Sequence, residues 1–495
     1  MRTKKRLPLP CVNSSLPKEA EKSVSAKRKE SAWDLVIENL RSSAVFNSSL
    51  GSKELFHSNL IGYFLQQGDS ANTMLQSLSQ TLAQWLRPQK EGSSKTKFRV
   101  LSVFREFNHF DLFIALIDEA HYNELKADGA GYELLELLRT SVAPVSVKAD
   151  EQFQKSLAIL KENCKFVVVE NKFKSIPDAA QLDEYSAKVR KGIGYITGAR
   201  KFNVKADDLN TTFYLLVPHY SLNVFGDLPE PWLAATYEDF SNKMLFCVQM
   251  NRKNKDDFMT QYVKSYGKIV HDIMLLTRRK IQDPIEEGAV FPDAIFSAKL
   301  DTIRLRDFYE KLWFSALARK MSVACPELDN VRIVPESGYG HNAGLMGYKC
   351  YLQDGSDIVY GIQIQNGQFR YYVEPAPNKK CRWENFKEND FCDLLNEAKY
   401  ESLRKTKFAG IDDDCRVSEI NNAIPTKMVL GDEVLAESVG NPQNLKSFGD
   451  FKYVYVNLSK KISQTELSNL IKISLSALDK MVRQNKKLFK IDFNK

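Results

Sequence analysis

The chain has 495 residues, 43% of them hydrophobic, which is enough to bury more than one core and predicts two domains. Its formal charge of +8 is compatible with a polyanionic partner, while the lack of a long apolar run argues against a membrane span or a signal peptide and favours the cytoplasm. The eight cysteines show no metal-ligand or disulfide spacing, and no GxxxxGK[ST] loop is present, so neither a zinc site nor ATP hydrolysis is expected.

Residues 1–30 predict a flexible basic tail, because they combine the clusters KKR and KRK with prolines and few large apolar groups. The first helix is expected over residues 52–66, with Ser52 as its N-cap. Glu54, His57 and Ser58 fall on one polar strip beside its apolar face. Two explanations of Glu54 stay open: a site carboxylate, or an acid that complements the helix dipole in the first turn.

Residues 98–117 predict two strands separated near Asn108-His109, with Asp111 at the start of the second. If the second strand pairs antiparallel with a later strand that ends at Glu170, the two carboxylates become neighbours. Asp118 would stand roughly 20 Å away at about 3.3 Å per residue, and we set it aside. Two carboxylates that share one site favour a bound cation.

The run FVVVENKFK at residues 166–174 predicts that later strand, buried on both faces, since four apolar residues lead directly into charged ones. Side chains alternate along a strand, so Glu170 and Lys172 leave its end on the same side. A carboxylate there can ligate Mg²⁺, and an ammonium can stabilise charge on a phosphodiester. The alternative is a surface ion pair, which is what most Glu-x-Lys sequences form.

A further helix is expected over residues 178–198, where Gln181, Tyr185 and Lys188 share one face. Such a face can contact a nucleic-acid backbone, although a solvated polar face is the ordinary alternative. The basic cluster that includes Lys188 and Lys191 favours the first interpretation, because it can neutralise phosphates.

Three segments in order, ELFHSN (54–59), REFNHFDLFI (105–114) and VVVENKFKSIPDAAQLDEY (167–185), resemble the PD-(D/E)XK nuclease superfamily, in particular its group with an IENK-type strand followed by QLxxY. The resemblance extends over residues 54–266. It implies an α/β (α+β) fold, in which a restriction-endonuclease-like core has a mixed central sheet flanked by helices. It also implies Mg²⁺ or Mn²⁺ as the cofactor.

The resemblance implies a metal-dependent nuclease that hydrolyses DNA phosphodiester bonds, as an endonuclease in phage defence, restriction or DNA repair. The alternatives are an RNA-directed nuclease of the same fold and a non-catalytic protein that binds nucleic acid or a partner. The implied metal ligands are Glu54, Asp111, Glu170 and the backbone carbonyl of Asn171, and the implied catalytic lysine is Lys172. The implied nucleic-acid contacts are Gln181, Tyr185, Lys188, Lys174 and Lys191.

The resulting domain division is a nuclease domain at residues 31–285 and an α/β accessory domain at residues 286–495. Within the first, residues 119–163 form an insertion between the two strands that carry the acids, and they predict a helical lobe. We expect this lobe to govern which substrate enters, or else to hold the two domains together. A second copy of the chain or a partner protein is expected to bind through the accessory domain.

The accessory domain offers structural signals rather than chemistry. The proline-containing stretch 281–293 marks the boundary, and residues 307–323 predict an amphipathic helix. Asn366-Gly367 predicts a hairpin turn between two strands, and Ser463 opens the last helix in a capping box. His341 could act as a ligand or a base, but it has no partner at a recognisable spacing, which favours a loop residue.

Overall fold

The computed structural model describes residues 33–87, 96–107, 110–128, 162–173, 179–190, 210–218, 228, 230–251, 257–353, 358–376, 388–405, 428–430, 433–436 and 445–485, some of them by their backbone alone. The predicted tail at residues 1–30 lies outside these ranges. None of the helices in the described ranges is both long enough and apolar enough to cross a bilayer.

The helices in these ranges are, in chain order, α1 (33–42), α2 (Ala44–Leu65), α3 (Thr73–Leu86), α4 (Glu119–Asp128), α5 (Ala179–Arg190), α6 (Tyr237–Met250), α7 (Phe258–Thr277), α8 (Ala294–Asp301), α9 (Arg306–Met321), α10 (Glu388–Lys405) and α11 (Gln464–Gln484). A π-helical turn (Arg278–Gln282) and a short helix (Asp283–Glu286) continue α7. The strands are β1 (Phe98–Phe107), β2 (Phe110–Asp118), β3 (Cys164–Asn171), β4 (Asn210–Val217), β5 (Trp232–Thr236), β6 (Val331–Gly340), β7 (Ala343–Leu352), β8 (Ile358–Gln365), β9 (Gln368–Pro375), β10 (Met428–Leu430), β11 (Glu433–Ala436), β12 (Lys446–Phe448) and β13 (Phe451–Asn457).

The first sheet has the order β1-β2-β3-β4-β5 and is mixed. β1, β2 and β3 are antiparallel neighbours, whereas β3, β4 and β5 are parallel. β3 is buried on both faces, as predicted from its run of valines. Val167 and Val169 belong to one core cluster and Phe166 and Val168 to the other, because successive side chains point to opposite faces.

Helices cover both faces of this sheet. Residues of α2, α3, α6 and α7 belong to the cluster on one face, and residues of α5 belong to the cluster on the other. Gly62 lets α2 approach closely, since a Cβ there would lie 2.8 Å from Cδ of Arg105. The chain is therefore a mixed α/β protein with a mixed central sheet flanked by helices, which confirms the predicted fold class.

The predicted start of the first long helix is wrong. α2 begins at Ala44, and the side chain of Ser43, not Ser52, caps it by accepting from the Phe46 amide. The small polar residues SSLGS suggested a break, but tertiary packing keeps this segment helical, with Phe46 almost fully buried. Since Glu54 is well inside α2, an interaction with the dipole at the first turn does not explain it.

The second large sheet has the order β12-β13-β9-β8-β7-β6, and all its neighbours are antiparallel. The predicted hairpin between β8 and β9 is present, and Asn366 and Gly367 both have positive φ, at 53° and 73°. His341 lies in the turn between β6 and β7, with φ 49°, and its ring packs edge-on against Phe448. It is a turn residue.

α9 packs on this sheet, and the prediction that it is amphipathic is wrong. In addition to its expected apolar face, Tyr309, Trp313 and Phe314 are buried, so the helix is enclosed on most sides. α11 begins with the predicted capping box at Ser463 and Glu466.

The two halves share one continuous core. Phe173, just after β3, stacks on Phe308 of α9 with ring centroids 5.6 Å apart, and the Trp313 indole donates to the Val290 carbonyl. The predicted boundary at residues 281–293 thus packs against α9, and the two-domain division stays a prediction. In the predicted insertion, α4 continues directly from β2. The two helices that the sequence of the lobe predicts, at residues 131–140 and 150–162, lie outside the described residues except for Glu162.

Candidate active site

The pairing of β2 with β3 brings the two predicted acids together. The register runs from Ile117 opposite Cys164 to Leu112 opposite Val169, and one further step sets Asp111 opposite Glu170. The backbone amide of Asn171 donates to Oδ2 of Asp111 at 2.6 Å. The predicted antiparallel pairing is therefore present, and both acidic positions lie at the same end of the strand pair.

Glu170 and Lys172 form a buried ion pair. Lys172 Nζ lies 2.9 Å from Glu170 Oε1, and the two side chains are only 10% and 3% exposed. The backbone amide of Lys172 donates to the Leu216 carbonyl of β4 at 2.9 Å, which extends the line of the strand past its formal end. A surface ion pair, the alternative for Glu-x-Lys, is excluded by this burial.

The side chain of Asn171 points to the opposite face of the sheet from Glu170. Its Nδ2 donates to Ser58 Oγ of α2 at 2.9 Å, and its Oδ1 accepts from the Tyr237 hydroxyl of α6 at 2.6 Å. Asn171, Ser58 and Tyr237 are all buried. The side chain of Asn171 thus joins α2 and α6 to the strand end, while its backbone amide orients Asp111.

A layer of rings lies beneath this asparagine. The rings of His57 and Phe173 have centroids 4.0 Å apart, and Phe173 meets the Tyr237 ring edge-on at 4.7 Å. Nδ1 of His57 is hydrogen-bonded to the Tyr266 hydroxyl at 2.6 Å, and burial raises the pKa of that hydroxyl. His57 and Ser58 of the polar strip are therefore packed against the strand end rather than solvated.

Sequence reasoning missed the roles of Ser58, Tyr237 and the Asn171 side chain. The available signal was the amide of Asn171 at the end of a strand that is otherwise apolar, since a buried amide needs partners. Its partners could not be named, because Tyr237 is 66 residues away along the chain.

For the other predicted site residues, the structure describes the side chain, the backbone position alone, or neither. Glu54 occupies a backbone position one helical turn before Ser58 in α2, and its side chain is outside the described set. Tyr185 of α5 is 6% exposed, and its ring packs edge-on against Phe110, next to Asp111. Gln181 and Lys188 are described by their backbone positions in α5 alone, and Lys174 and Lys191 lie outside the described residues.

Asp118 is at the other end of β2, as expected. Its Oδ1 accepts from the His121 amide at 3.0 Å, and its Oδ2 lies 2.6 Å from Nδ1 of the same histidine. Burial acts to raise the pKa of Asp118, but the hydrogen bonds from His121 outweigh it and the pKa is lowered. Asp118 thus accepts a hydrogen bond from an amide in the first turn of α4 and caps that helix.

The donor set at the Asp111 and Glu170 edge fits a hard divalent cation. It consists of carboxylate and backbone carbonyl oxygens, which Mg²⁺ and Mn²⁺ prefer. Two carboxylates that meet at one edge repel each other, which favours a bound cation between them. Among the side chains that are described, no three His, Cys, Asp or Glu residues cluster as a metal site; the side chain of Glu54 is not one of these.

Residues 44–268 match the family model of the PD-(D/E)XK nuclease superfamily. Comparisons with curated proteins and with solved structures gave no match. The matched region includes the whole first sheet, the helices that flank it, and Glu54, Asp111, Glu170 and Lys172. Nucleases of this superfamily act on nucleic acid and generally use divalent metal ions. Residues 44–268 are thus similar to the PD-(D/E)XK nuclease superfamily.

Proposed function

We propose that the chain is a metal-dependent nuclease that cuts DNA at the edge formed by Asp111, Glu170 and Lys172. The observation that carries this proposal is the hydrogen bond from the Asn171 amide to Asp111, next to the buried ion pair of Glu170 and Lys172. Charged groups concentrated at a strand end are typical of a site that receives a charged substrate.

Asp111, Glu170, the Asn171 carbonyl and Glu54 are the proposed ligands of Mg²⁺ or Mn²⁺. When bound, such an ion neutralises charge on the phosphodiester and lowers the pKa of a coordinated water. The Asn171 amide holds Asp111 in position, so little side-chain reorganisation accompanies the reaction. The Lys172 ammonium, held by Glu170, is placed to stabilise the negative charge that develops on the phosphate.

α5 is the proposed substrate-facing helix. The alternation along β3 puts Glu170 on the face of the sheet that α5 covers, and on that face Tyr185 packs against Phe110, which precedes Asp111 in the chain. Tyr185 would then position the site from beneath, since it is buried. Gln181 and Lys188 of α5, together with Lys174 and Lys191, are the proposed contacts to the nucleic-acid backbone.

DNA, endonucleolytic cleavage and a role in phage defence, restriction or repair rest on the family resemblance alone, because fold-level analogy is their only support. The test is to incubate the full chain with plasmid, linear duplex, single-stranded DNA and RNA, each with Mg²⁺, Mn²⁺ or EDTA. We expect metal-dependent nicking or linearisation of the plasmid. Cleavage of RNA alone would instead identify an RNA-directed nuclease, and binding without cleavage would identify a non-catalytic protein.

Asp111→Asn and Glu170→Gln should lower the cleavage rate by about 10²–10³-fold, because each removes a ligand charge worth several kcal/mol while keeping the volume. Asp118→Asn is the matched control, since it neutralises an acid of the same strand at its opposite end. All three variants should remain folded, with Glu170→Gln the least stable because it removes the charged partner of the buried Lys172. If the first two variants cut at the wild-type rate, the catalytic site lies elsewhere.

A further inference from the structure

A cavity of about 390 Å³ opens where α3, α6 and the beginning of β1 meet. It adjoins Phe98, which pairs with Asp118 at the far end of the β1–β2 hairpin. Asp111 is near the opposite end of β2, roughly 20 Å away at about 3.3 Å per residue. The cavity is therefore separate from the edge proposed for catalysis.

One wall of the cavity is a polar face of α3. The other side of that helix is buried in the core through leucines such as Leu78 and Leu82. The side chains towards the cavity recur at helical spacing and carry hydroxyl or amide groups. They are Ser77, Gln80, Thr81 and Gln84. A wall of this kind offers hydrogen bonds to a polar ligand.

The charge of the lining is positive. Lys97 and Lys243 both line the cavity, and neither forms an ion pair within the part of the chain that is described. Arg99 and Glu119 also line it and pair with each other at 3.4 Å, and Asp69 lies 2.8 Å from the same guanidinium, so the lining keeps a net positive charge. Two ammonium groups are thus left to face an anion across one cavity.

An indole completes the site. Trp85 lines this cavity and also a second one of about 280 Å³, which Lys243 lines as well. The ring of Phe240 stacks on Trp85 at 6.0 Å and fixes its orientation. Indole rings stack on nucleobases whatever the base, because every base presents a π-face. The volume falls in the range of about 300–1,000 Å³ that suits a small ligand and is too small for a duplex.

We propose that this cavity binds a nucleoside phosphate, with its phosphate between Lys97 and Lys243 and its base against Trp85. Gln80 and Gln84 would hydrogen-bond the edge of the base. The ligand could be a free mononucleotide or the 5′-phosphorylated end of a strand, since both present the same groups. The proposal depends on the cavity alone and holds whether or not the chain cuts DNA.

The test is isothermal calorimetry on the full chain in EDTA, with inorganic phosphate, 5′-AMP and short oligodeoxynucleotides with and without a 5′-phosphate. We expect 5′-AMP to bind more tightly than phosphate. Lys97→Ala and Lys243→Ala should each weaken binding of 5′-AMP by roughly tenfold or more, because each removes a charge-assisted contact. Trp85→Phe should weaken binding of 5′-AMP but not of phosphate. Lys264→Ala, an exposed lysine on α7, is the matched control and should change nothing.

The oligonucleotide titrations show whether the ligand is a free mononucleotide or the 5′-phosphorylated end of a strand. If a strand end is the ligand, the oligonucleotide should lose affinity when it lacks its 5′-phosphate and when Lys243 is replaced. If its affinity depends on neither change, the free mononucleotide is the ligand. Failure of both 5′-AMP and the phosphorylated strand to bind in a Lys243-dependent way at about 10 mM overturns the proposal. Equal affinity for phosphate and 5′-AMP overturns the assignment of the base to Trp85.

Discussion

Each of the two large sheets carries a cluster of two carboxylates and one lysine, at different positions. In the first sheet they are Asp111, Glu170 and Lys172 at the end of a strand pair. In the second they are Glu336, Glu374 and Lys349, which lie on one face of the sheet in β6, β9 and β7. There Lys349 Nζ lies 3.2 Å from Glu336 Oε2 and 2.7 Å from Glu374 Oε1.

In the second cluster both carboxylates have the same lysine as their partner. Its lysine bridges both acids, and the Tyr372 hydroxyl also donates to Glu336 at 3.2 Å. Gly361 leaves room for this tyrosine, because a Cβ there would come within 2.9 Å of its hydroxyl. Burial raises the pKa of Glu336, although Lys349 opposes the shift. An arrangement of this kind stabilises or specifies a fold.

At the first cluster the backbone amide of Asn171 orients Asp111, whereas side chains hold both acids of the second cluster. This backbone contact, and not the number of charges, therefore distinguishes the candidate active site from the structural ion pair.

Exchanging each lysine for methionine should separate the two clusters most strongly. Lys172→Met should lower the cleavage rate by about 100-fold with a much smaller loss of DNA affinity, since its charge acts chiefly on the transition state. Lys349→Met should leave the cleavage rate unchanged and lower the free energy of unfolding by about 3 kcal/mol, because it strands two partly buried carboxylates. Single-turnover kinetics and urea unfolding measure the two effects. A loss of catalysis in both variants would remove the distinction.

A third buried lysine extends the comparison, because no acid pairs with it among the described residues. Lys399 of α10 is 1% exposed, its Nζ lies 4.7 Å from the centre of the Tyr400 ring, and burial lowers its pKa to about 8. Lys399→Met should therefore raise the free energy of unfolding at pH 7 by about 3 kcal/mol.

The sign of its pH dependence follows from linkage. Between about pH 8 and 10.5 the unfolded chain holds the Lys399 proton and the folded chain does not, so this lysine costs least at high pH. The gain from Lys399→Met should be complete below pH 8 and disappear as the pH rises through that window. Lys480→Met, at an exposed lysine paired with Glu401, is the control. A gain that is undiminished at pH 10 would show that hydrophobic packing, rather than charge, is responsible.

The smallest expected effect concerns the groups that position the first cluster. Tyr237→Phe should reduce metal affinity and cleavage by roughly 10-fold, because it removes the hydroxyl that holds Asn171 and keeps the ring packing. Asn171→Ala should do more, and Asn171→Gln should not restore activity, since its longer side chain cannot reach Ser58 and Tyr237 in the same geometry. Tyr371→Phe, which loses a buried hydroxyl bond to Ser474 in the second sheet, is the control. Equal activity of Tyr237→Phe and wild type would make Asn171 a purely structural residue.

The strand end was predictable because its signals are local. Four apolar residues before Glu170 identify a buried strand, and alternation gives the side of Lys172 without reference to any other element. The hairpin at Asn366 and Gly367 was predictable for the same reason, since the turn type requires residues that tolerate positive φ.

What the sequence did not reveal depends on distant partners. α2 continues through small polar residues because Phe46 anchors it in the core, and α9 is enclosed because both the sheet and the segment around Val290 cover it. In both helices, contacts with residues distant in the sequence outweigh the local sequence pattern. The link from Asn171 to Ser58 and Tyr237 joins residues 113 and 66 positions from that asparagine, which no local signal encodes.

The β2–β3 pair has one end occupied by Asp111 and Glu170 and the other, at Ile117 and Cys164, joined through the insertion that begins with α4. The five intervening residue pairs act as a rigid spacer. Chain length at the joined end can therefore change, by evolution or by grafting a reporter domain, without altering the distance between the two acids. A family built on this hairpin could diversify its appendages while its catalytic geometry stays fixed.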